Sequence, residues 1–277
     1  MKPLFYIPLL LLATSCAFKT VRRIKEITYL EARDTREAQK LNIFAPRKRS
    51  QKHPVLIFVH GGNWTSGRKG LYSYFGSRLA RKGVVAVTIN YPLSPEARFD
   101  GMAMATAASV KWVHQNITRY GGDSARIYIS GHSAGGHLAA LIATDTRYFD
   151  SLNIKSPLKG AVMIDAAGLD MYGYLKEGNY RQNPEYLEVF TRNQAEWKRA
   201  TPLYQLHKGM PTFLIFRGGK TYPSIIKSNE KFIDSLRRYQ PNAQYIVQKG
   251  KHHVPMVLQF FNSYNKRYDD ILRFMGE

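Results

Sequence analysis

The stretch Ile127-Tyr128-Ile129-Ser130-Gly131-His132-Ser133-Ala134-Gly135-Gly136-His137-Leu138-Ala139-Ala140-Leu141 leaves this chain few folds to choose from. A strand-forming run enters Gly-x-Ser-x-Gly directly, and an Ala/Leu-rich segment of helical propensity follows without a break. A strand that turns at once into a helix forces the corner residue, Ser133, into a strained backbone conformation. Side chains two residues before and after it would collide, and Gly131 and Gly135 remove them. The turn holds the Ser133 hydroxyl above a sheet, with the positive end of the helix dipole and the free amide of Ala134 facing any oxyanion formed there. This is the geometry of a nucleophile elbow.

A chain of 277 residues is long enough for one large α/β domain, and no composition break suggests a second. The first residues read differently. Lys2 is followed by the apolar run Leu4 to Leu12 and then by small residues, which fits an export segment rather than a permanent membrane span. Leu12-Ala13-Thr14-Ser15-Cys16 is similar to a bacterial lipobox, in which the cysteine becomes the lipidated first residue. Cys16 is the only cysteine of the chain, so no internal disulfide can form. The expected organisation is therefore residues 1–16 as a lipoprotein signal segment and 17–277 as one domain, located at a bacterial envelope membrane through a lipid anchor.

The formal charge of +21 raises the question of nucleic acid. The clusters Arg22-Arg23, Arg47-Lys48-Arg49 and Arg237-Arg238 are short, and none is interleaved with aromatic residues as a single-strand platform would be. A basic surface facing an anionic envelope or polysaccharide is the reading retained, and nucleic acid is not an expected partner.

Along the chain, Ile24 to Leu30 and Gln39 to Pro46 predict an antiparallel edge hairpin. His53 to Val59 is a continuous apolar run suited to a strand covered on both faces. Leu71 to Lys82 and Met102 to Tyr120 predict helices around a strand over Val84 to Tyr91. Beyond the elbow, strands are predicted at Lys159 to Asp165, Pro211 to Gly218 and Ala243 to Gln248, each followed by a helical segment. The alternation predicts a doubly wound, mostly parallel, eight-stranded sheet. The aromatic-rich region of about 171–206 breaks the rhythm and reads as a cap-like insertion. Its residues, with Trp64, Tyr222 and Met256, are expected to line the pocket.

Function in such sheets gathers at the carboxyl ends of the strands. His60-Gly61-Gly62-Asn63-Trp64 follows one end, and its glycines let the amides of Gly61 and Gly62 turn into a cavity, where with Ala134 they would form an oxyanion hole. After the last strand, Lys249-Gly250-Lys251-His252-His253-Val254-Pro255 offers two histidines, and either could reach the serine. His60, His132 and His137 show no metal-ligand spacing and read as structural.

With these motifs in hand, the chain resembles the α/β-hydrolase superfamily from about Leu41 onward. Within it, the chain resembles the esterase/lipase branch with a His-Gly-Gly-x-Trp motif, including carboxylesterase-like and kynurenine-formamidase-like enzymes. Asn90 to Glu96 and Tyr120 to Ile127 are also similar to segments of that family. The resemblance implies a serine hydrolase cleaving carboxylic esters of small molecules or acylated sugars, with no cofactor. An amidase or formamidase of the same fold and a non-catalytic binding protein are the alternatives. It makes Ser133 the nucleophile, puts the hole at Gly61, Gly62 and Ala134, and aligns His253 with the base, His252 being the fallback.

The sequence departs from the family at the acid. Thr221 stands where the orienting aspartate is expected, in Gly218-Gly219-Lys220-Thr221. Asp165, at the end of the preceding strand, is the expected substitute, with Asp170 second. A carboxylate oxygen of Asp165 should then lie about 2.6 to 3.2 Å from His253.

Overall fold

The computed structural model describes residues 20–32, 37–47, 51–181 and 183–277. Cys16 and the expected signal segment lie outside the described residues. Strands β1 (Val21–Leu30) and β2 (Gln39–Pro46) pair antiparallel at one edge of an eight-stranded sheet. β3 (His53–Val59), β4 (Val85–Ile89), β5 (Gly122–His132), β6 (Leu158–Ile164), β7 (Thr212–Gly218) and β8 (Gln244–Gln248) follow in parallel, in the spatial order β1-β2-β4-β3-β5-β6-β7-β8. β2 also runs antiparallel to β4, so β1 shares the direction of the parallel set. The predicted segments fall on these elements, with ends trimmed by a few residues.

β3 is buried at every position because both faces of the sheet are covered. Val55, Ile57 and Val59 point into one core, shared with the helices α2 (Phe99–Asn116) and α3 (Ala134–Thr144). Leu56 and Phe58 point into the other, filled by α1 (Ser73–Arg81) and the helix Arg267–Phe274. Leu71 is exposed and the predicted first helix opens instead with a 3-10 turn, Lys69–Tyr72. The second predicted helix ends at Asn116 and gives way to a 3-10 turn, Ile117–Tyr120. The region of 171–206 lies between β6 and β7 as three short helices, Met171–Lys176, Tyr186–Phe190 and Gln194–Trp197, with intervening turns. Leu175, Val189, Phe190 and Trp197 are buried in the same core as α2 and α3.

Register decides what meets what at the sheet's upper edge. Val59 lies opposite Gly131, His132 opposite Ile164, Ile164 opposite Phe216 and Gly218 opposite Gln248. The strands thus end level with one another. The loops after β3, β5, β6, β7 and β8 all open on one side.

Candidate active site

Ser133 sits between β5 and α3 with φ 55 and ψ −124, a conformation that an L-residue adopts only under constraint. The constraint is packing. A Cβ on Gly131 would strike the Gly135 carbonyl, and one on Gly135 would strike the carbonyls of Val59 and His60. α3 therefore starts in van der Waals contact with the end of β3, and the chain has room for one side chain at the corner, that of Ser133.

The Ser133 hydroxyl donates to Nε2 of His253 at 2.9 Å. Nδ1 of the same ring donates to Oδ2 of Asp165 at 2.6 Å, within the range expected for that pair. Asp165 directly follows β6, is fully buried and has φ 47, a second strained backbone at the same edge. Its Oδ1 accepts the N–H of Gly218 at 2.7 Å, and its Oδ2 also accepts the hydroxyl of Thr221. The buried carboxylate thus receives three hydrogen bonds, which offset much of its desolvation. Thr221 is the residue that takes the aspartate's place in the sequence, and here it braces the carboxylate supplied by the neighbouring strand.

The alternatives lie elsewhere. His252 is exposed, whereas His253 is half-buried. Asp170 caps the helix Met171–Lys176 by accepting the Gly173 N–H at 3.0 Å, and it is held by Lys231 Nζ at 2.6 Å. Glu230 pairs with Arg217 at 3.2 Å.

The three backbone amides expected to face an oxyanion have their directions set by carbonyls. In a planar trans peptide the N–H points opposite the preceding C=O. The His60 carbonyl accepts the Tyr91 hydroxyl at 3.1 Å, so the Gly61 N–H points away from Tyr91. The Gly61 carbonyl accepts Nδ1–H of His60 at 2.8 Å, which turns the Gly62 N–H outward. The Ser133 carbonyl accepts the N–H groups of His137 and Ala167, each at 3.1 Å, which leaves the Ala134 N–H free at the first turn of α3. Gly61 also abuts the serine, since a Cβ there would lie 3.2 Å from Ser133 Cβ. Gly62 has φ +130, open to glycine alone without strain.

Three neutral histidines hold this frame. His132 stacks on His253 with ring centroids 4.6 Å apart and donates through Nε2 to the His253 carbonyl at 3.2 Å. Burial and the neighbouring His253 lower its pKa to about 3. His137 accepts the Trp64 indole N–H at 3.2 Å and donates to the Ala200 carbonyl at 2.7 Å, while burial lowers its pKa to about 4. His60 stacks on Tyr91 and is likewise lowered to about 4 by burial. Apart from Gly61, which adjoins His60, the partners of these histidines come from loops far along the chain and could not be read from the sequence.

A small cavity is lined by Trp64, Ala167, Gly168, Met171, Tyr186 and Ile225, and it reaches the serine through Ala167, whose N–H donates to the Ser133 carbonyl. Trp64 is the anchor of the region: it is 1 % exposed, and Tyr186 and Phe190 meet it edge-on. Two of the expected lining residues do not line this cavity. Met256 is buried in the core on the α1 face, and Tyr222 is exposed with its ring 5.2 Å from that of His253.

A mostly parallel eight-stranded sheet, covered on both faces and carrying a strand–Ser133–helix turn at the carboxyl edge, defines an α/β-hydrolase. The chain belongs to the BD-FAE family, whose model matches residues 41–230. Among curated proteins, it is 25% identical to a probable isoprenylcysteine alpha-carbonyl methylesterase of Arabidopsis thaliana, over 79% of this chain and 49% of the relative. It is 30% identical to esterase LipC of Mycobacterium tuberculosis, over 66% of this chain and 48% of the relative. The chain thus spans about half the length of the curated relatives it matches. Esterase B of Lactobacillus rhamnosis superposes with a TM-score of 0.76 at 19% identity, covering 92% of this chain and 85% of the other. Esterase 2 of Thermogutta terrifontis, with propionate bound, gives 0.73 at 21% identity, covering 91% and 94%. These likenesses bear on the fold.

Proposed function

We propose that this chain is a serine hydrolase that cleaves carboxylic esters through an acyl-enzyme. The observation that carries the reading is the unbroken hydrogen-bonded chain from Ser133 Oγ through His253 to Asp165. Ser133 attacks the ester carbonyl while His253 Nε2 takes its proton and passes it to the leaving alcohol. Asp165 holds the imidazole with hydrogen on Nδ1 and stabilises the imidazolium. The amides of Gly61, Gly62 and Ala134 receive the developing oxyanion, each worth on the order of 3 kcal/mol in the transition state. Water then repeats the sequence on the acyl-enzyme, and the chemistry calls for no cofactor.

Relatives named as esterases support ester over amide. The aromatic and apolar side chains crowded around Trp64, namely Tyr186, Phe190 and Met171, leave only a small cavity, which supports a short acyl group on a small alcohol or sugar. The non-catalytic reading drew its force from the missing aspartate at position 221, and the Asp165 carboxylate 2.6 Å from His253 supports the catalytic reading over it. The test is a fluorophosphonate probe together with a p-nitrophenyl ester series. Ser133 should label, acetate should turn over with a burst faster than hexanoate, and Ser133→Ala should lose both signals. Undiminished turnover by Ser133→Ala refutes the proposal.

The Leu12 to Cys16 pattern supports a mature chain that begins at a lipidated Cys16 on a bacterial envelope membrane. No helix among the described residues is long and apolar enough to cross a membrane.

A further inference from the structure

A groove of about 400 Å³ runs between β1 and α1, far from the serine. Four cations line it, Arg23 and Lys25 from one face of β1 and Arg78 and Arg81 from α1, and Ser73 and Ser77 add hydroxyls. No carboxylate lines it. The nearby carboxylate of Glu26 is engaged by Lys69 at 2.8 Å and Lys40 at 3.9 Å. Among the described residues, none of the four cations forms an ion pair within 4.0 Å, and Lys25 acts on the Glu26 carboxylate only at longer range. Like charges this close repel one another, so an anion brought among them gains from all four at once.

The floor is rigid. Gly76 lets α1 settle flush on Phe44, since a Cβ at that position would collide with the Phe44 ring. The groove is therefore built by two packed elements rather than by a loop.

Its position selects the occupant. Val21 pairs with Pro46, and Phe44 with Ala86, so β1 begins level with the amino-terminal ends of the parallel strands. Arg81, at the end of α1, lies at that same lower edge, just before β4 begins. Ser133, Asp165 and His253 lie at the opposite, carboxyl edge. Cys16 precedes Val21 by five residues, a reach of at most about 18 Å. A lipid on Cys16 would hold this lower edge within contact distance of a bilayer.

We propose that the groove is a docking site for the phosphate headgroups of anionic phospholipids, holding the anchored protein with its catalytic edge turned away from the membrane. The proposal rests on the anchor reading above and gives a place to part of the +21 charge. Covalent lipid supplies attachment, and the groove supplies orientation.

The test uses residues 17–277, which hold every described strand and helix and lack the lipid, so groove binding is read apart from lipidation. Binding is measured by co-sedimentation with vesicles of phosphatidylglycerol and phosphatidylcholine in equal parts. Arg23→Gln, Lys25→Gln, Arg78→Gln and Arg81→Gln together should lower partitioning on the order of several hundredfold, about fivefold per cation. Turnover of a soluble ester should be unchanged, which shows the variant folded. A control variant of equal charge, with Lys176, Arg181, Lys220 and Lys249 changed to Gln in the segments that follow the carboxyl ends of β6, β7 and β8, should retain most of its partitioning. Equal loss in the two variants would mean diffuse charge and no site. Binding of inorganic phosphate or an anionic polysaccharide in the groove, without vesicle binding, would also overturn the proposal. Mass spectrometry of the membrane-extracted protein reads Cys16 lipidation independently.

Discussion

In the proposed triad the acid comes from a different strand, Asp165 at the end of β6, with Thr221 hydrogen-bonded to it. The imidazole needs an acceptor at Nδ1 to keep its proton there. That acceptor comes from the end of β6 instead of the loop after β7, at 2.6 Å from the ring. Thr221 and the Gly218 amide then pin the carboxylate from the vacated side. Asp165→Asn keeps the size and can still accept from Gly218, but its amide no longer stabilises the imidazolium and favours the wrong tautomer. In the proposed reaction kcat should fall by about 10³- to 10⁴-fold with KM changed little, read with p-nitrophenyl acetate. Turnover near that of the parent protein would remove Asp165 from the mechanism. The sequence allowed this much to be read in advance, because Asp165 directly ends an apolar run. The supporting role of Thr221 was not legible, since a threonine in a loop carries no mark of what it touches.

At the scale of elements, the site depends on α3 starting against β3. Gly135 lies inside α3, where alanine has better helical propensity by about 1 kcal/mol. Propensity alone would make Gly135→Ala stabilising. The added Cβ instead meets the Val59 and His60 carbonyls, so the helix must shift and carry Ser133 and the Ala134 amide with it. The expected result is a loss of about 1 to 3 kcal/mol in urea unfolding, with turnover reduced at least as strongly. A more stable and fully active variant would show that the strand–helix contact is not what holds the corner. The level ends of β3, β5, β6, β7 and β8 do the rest, since each loop then delivers its residue to one edge.

The whole molecule is committed to three uncharged histidines. Burial penalises the imidazolium and holds His60, His132 and His137 down to about 4, 3 and 4 in the fold, below the ordinary imidazole value of 6.5. The unfolded chain therefore binds more protons below pH 6.5, and stability falls with pH. Above pH 6.5 the contribution is complete; below it each histidine costs about 1.4 kcal/mol per pH unit until its folded pKa is reached. Urea unfolding between pH 7 and 5.5, above the range where carboxylates dominate, should show a loss of about 3 to 4 kcal/mol. His137→Gln should be less stable at pH 7, because the Trp64 and Ala200 contacts are rearranged, yet show a slope shallower by about one proton. A flat profile across this window would mean that the three rings ionise without unfolding.

What could be known from the chain alone is what neighbours in sequence impose on one another. A strand running into Gly-x-Ser-x-Gly and then a helix former has one backbone solution, and the covered strands announce themselves by unbroken apolar runs. The class of fold, the corner at Ser133 and the turn-forming glycines after β3 follow from such short-range rules. The choice of His253 over His252 and the bracing of Asp165 by Thr221 lay beyond them. Ser133 and His253 are 120 residues apart, and Asp165 and His253 are 88 apart. Their distances are set by strand register and by which loop emerges level with which, quantities that exist only once the sheet has formed. The cavity beside Trp64 and the groove between β1 and α1 are tertiary in the same sense: each is a space left between elements that local preference shapes separately and packing brings together.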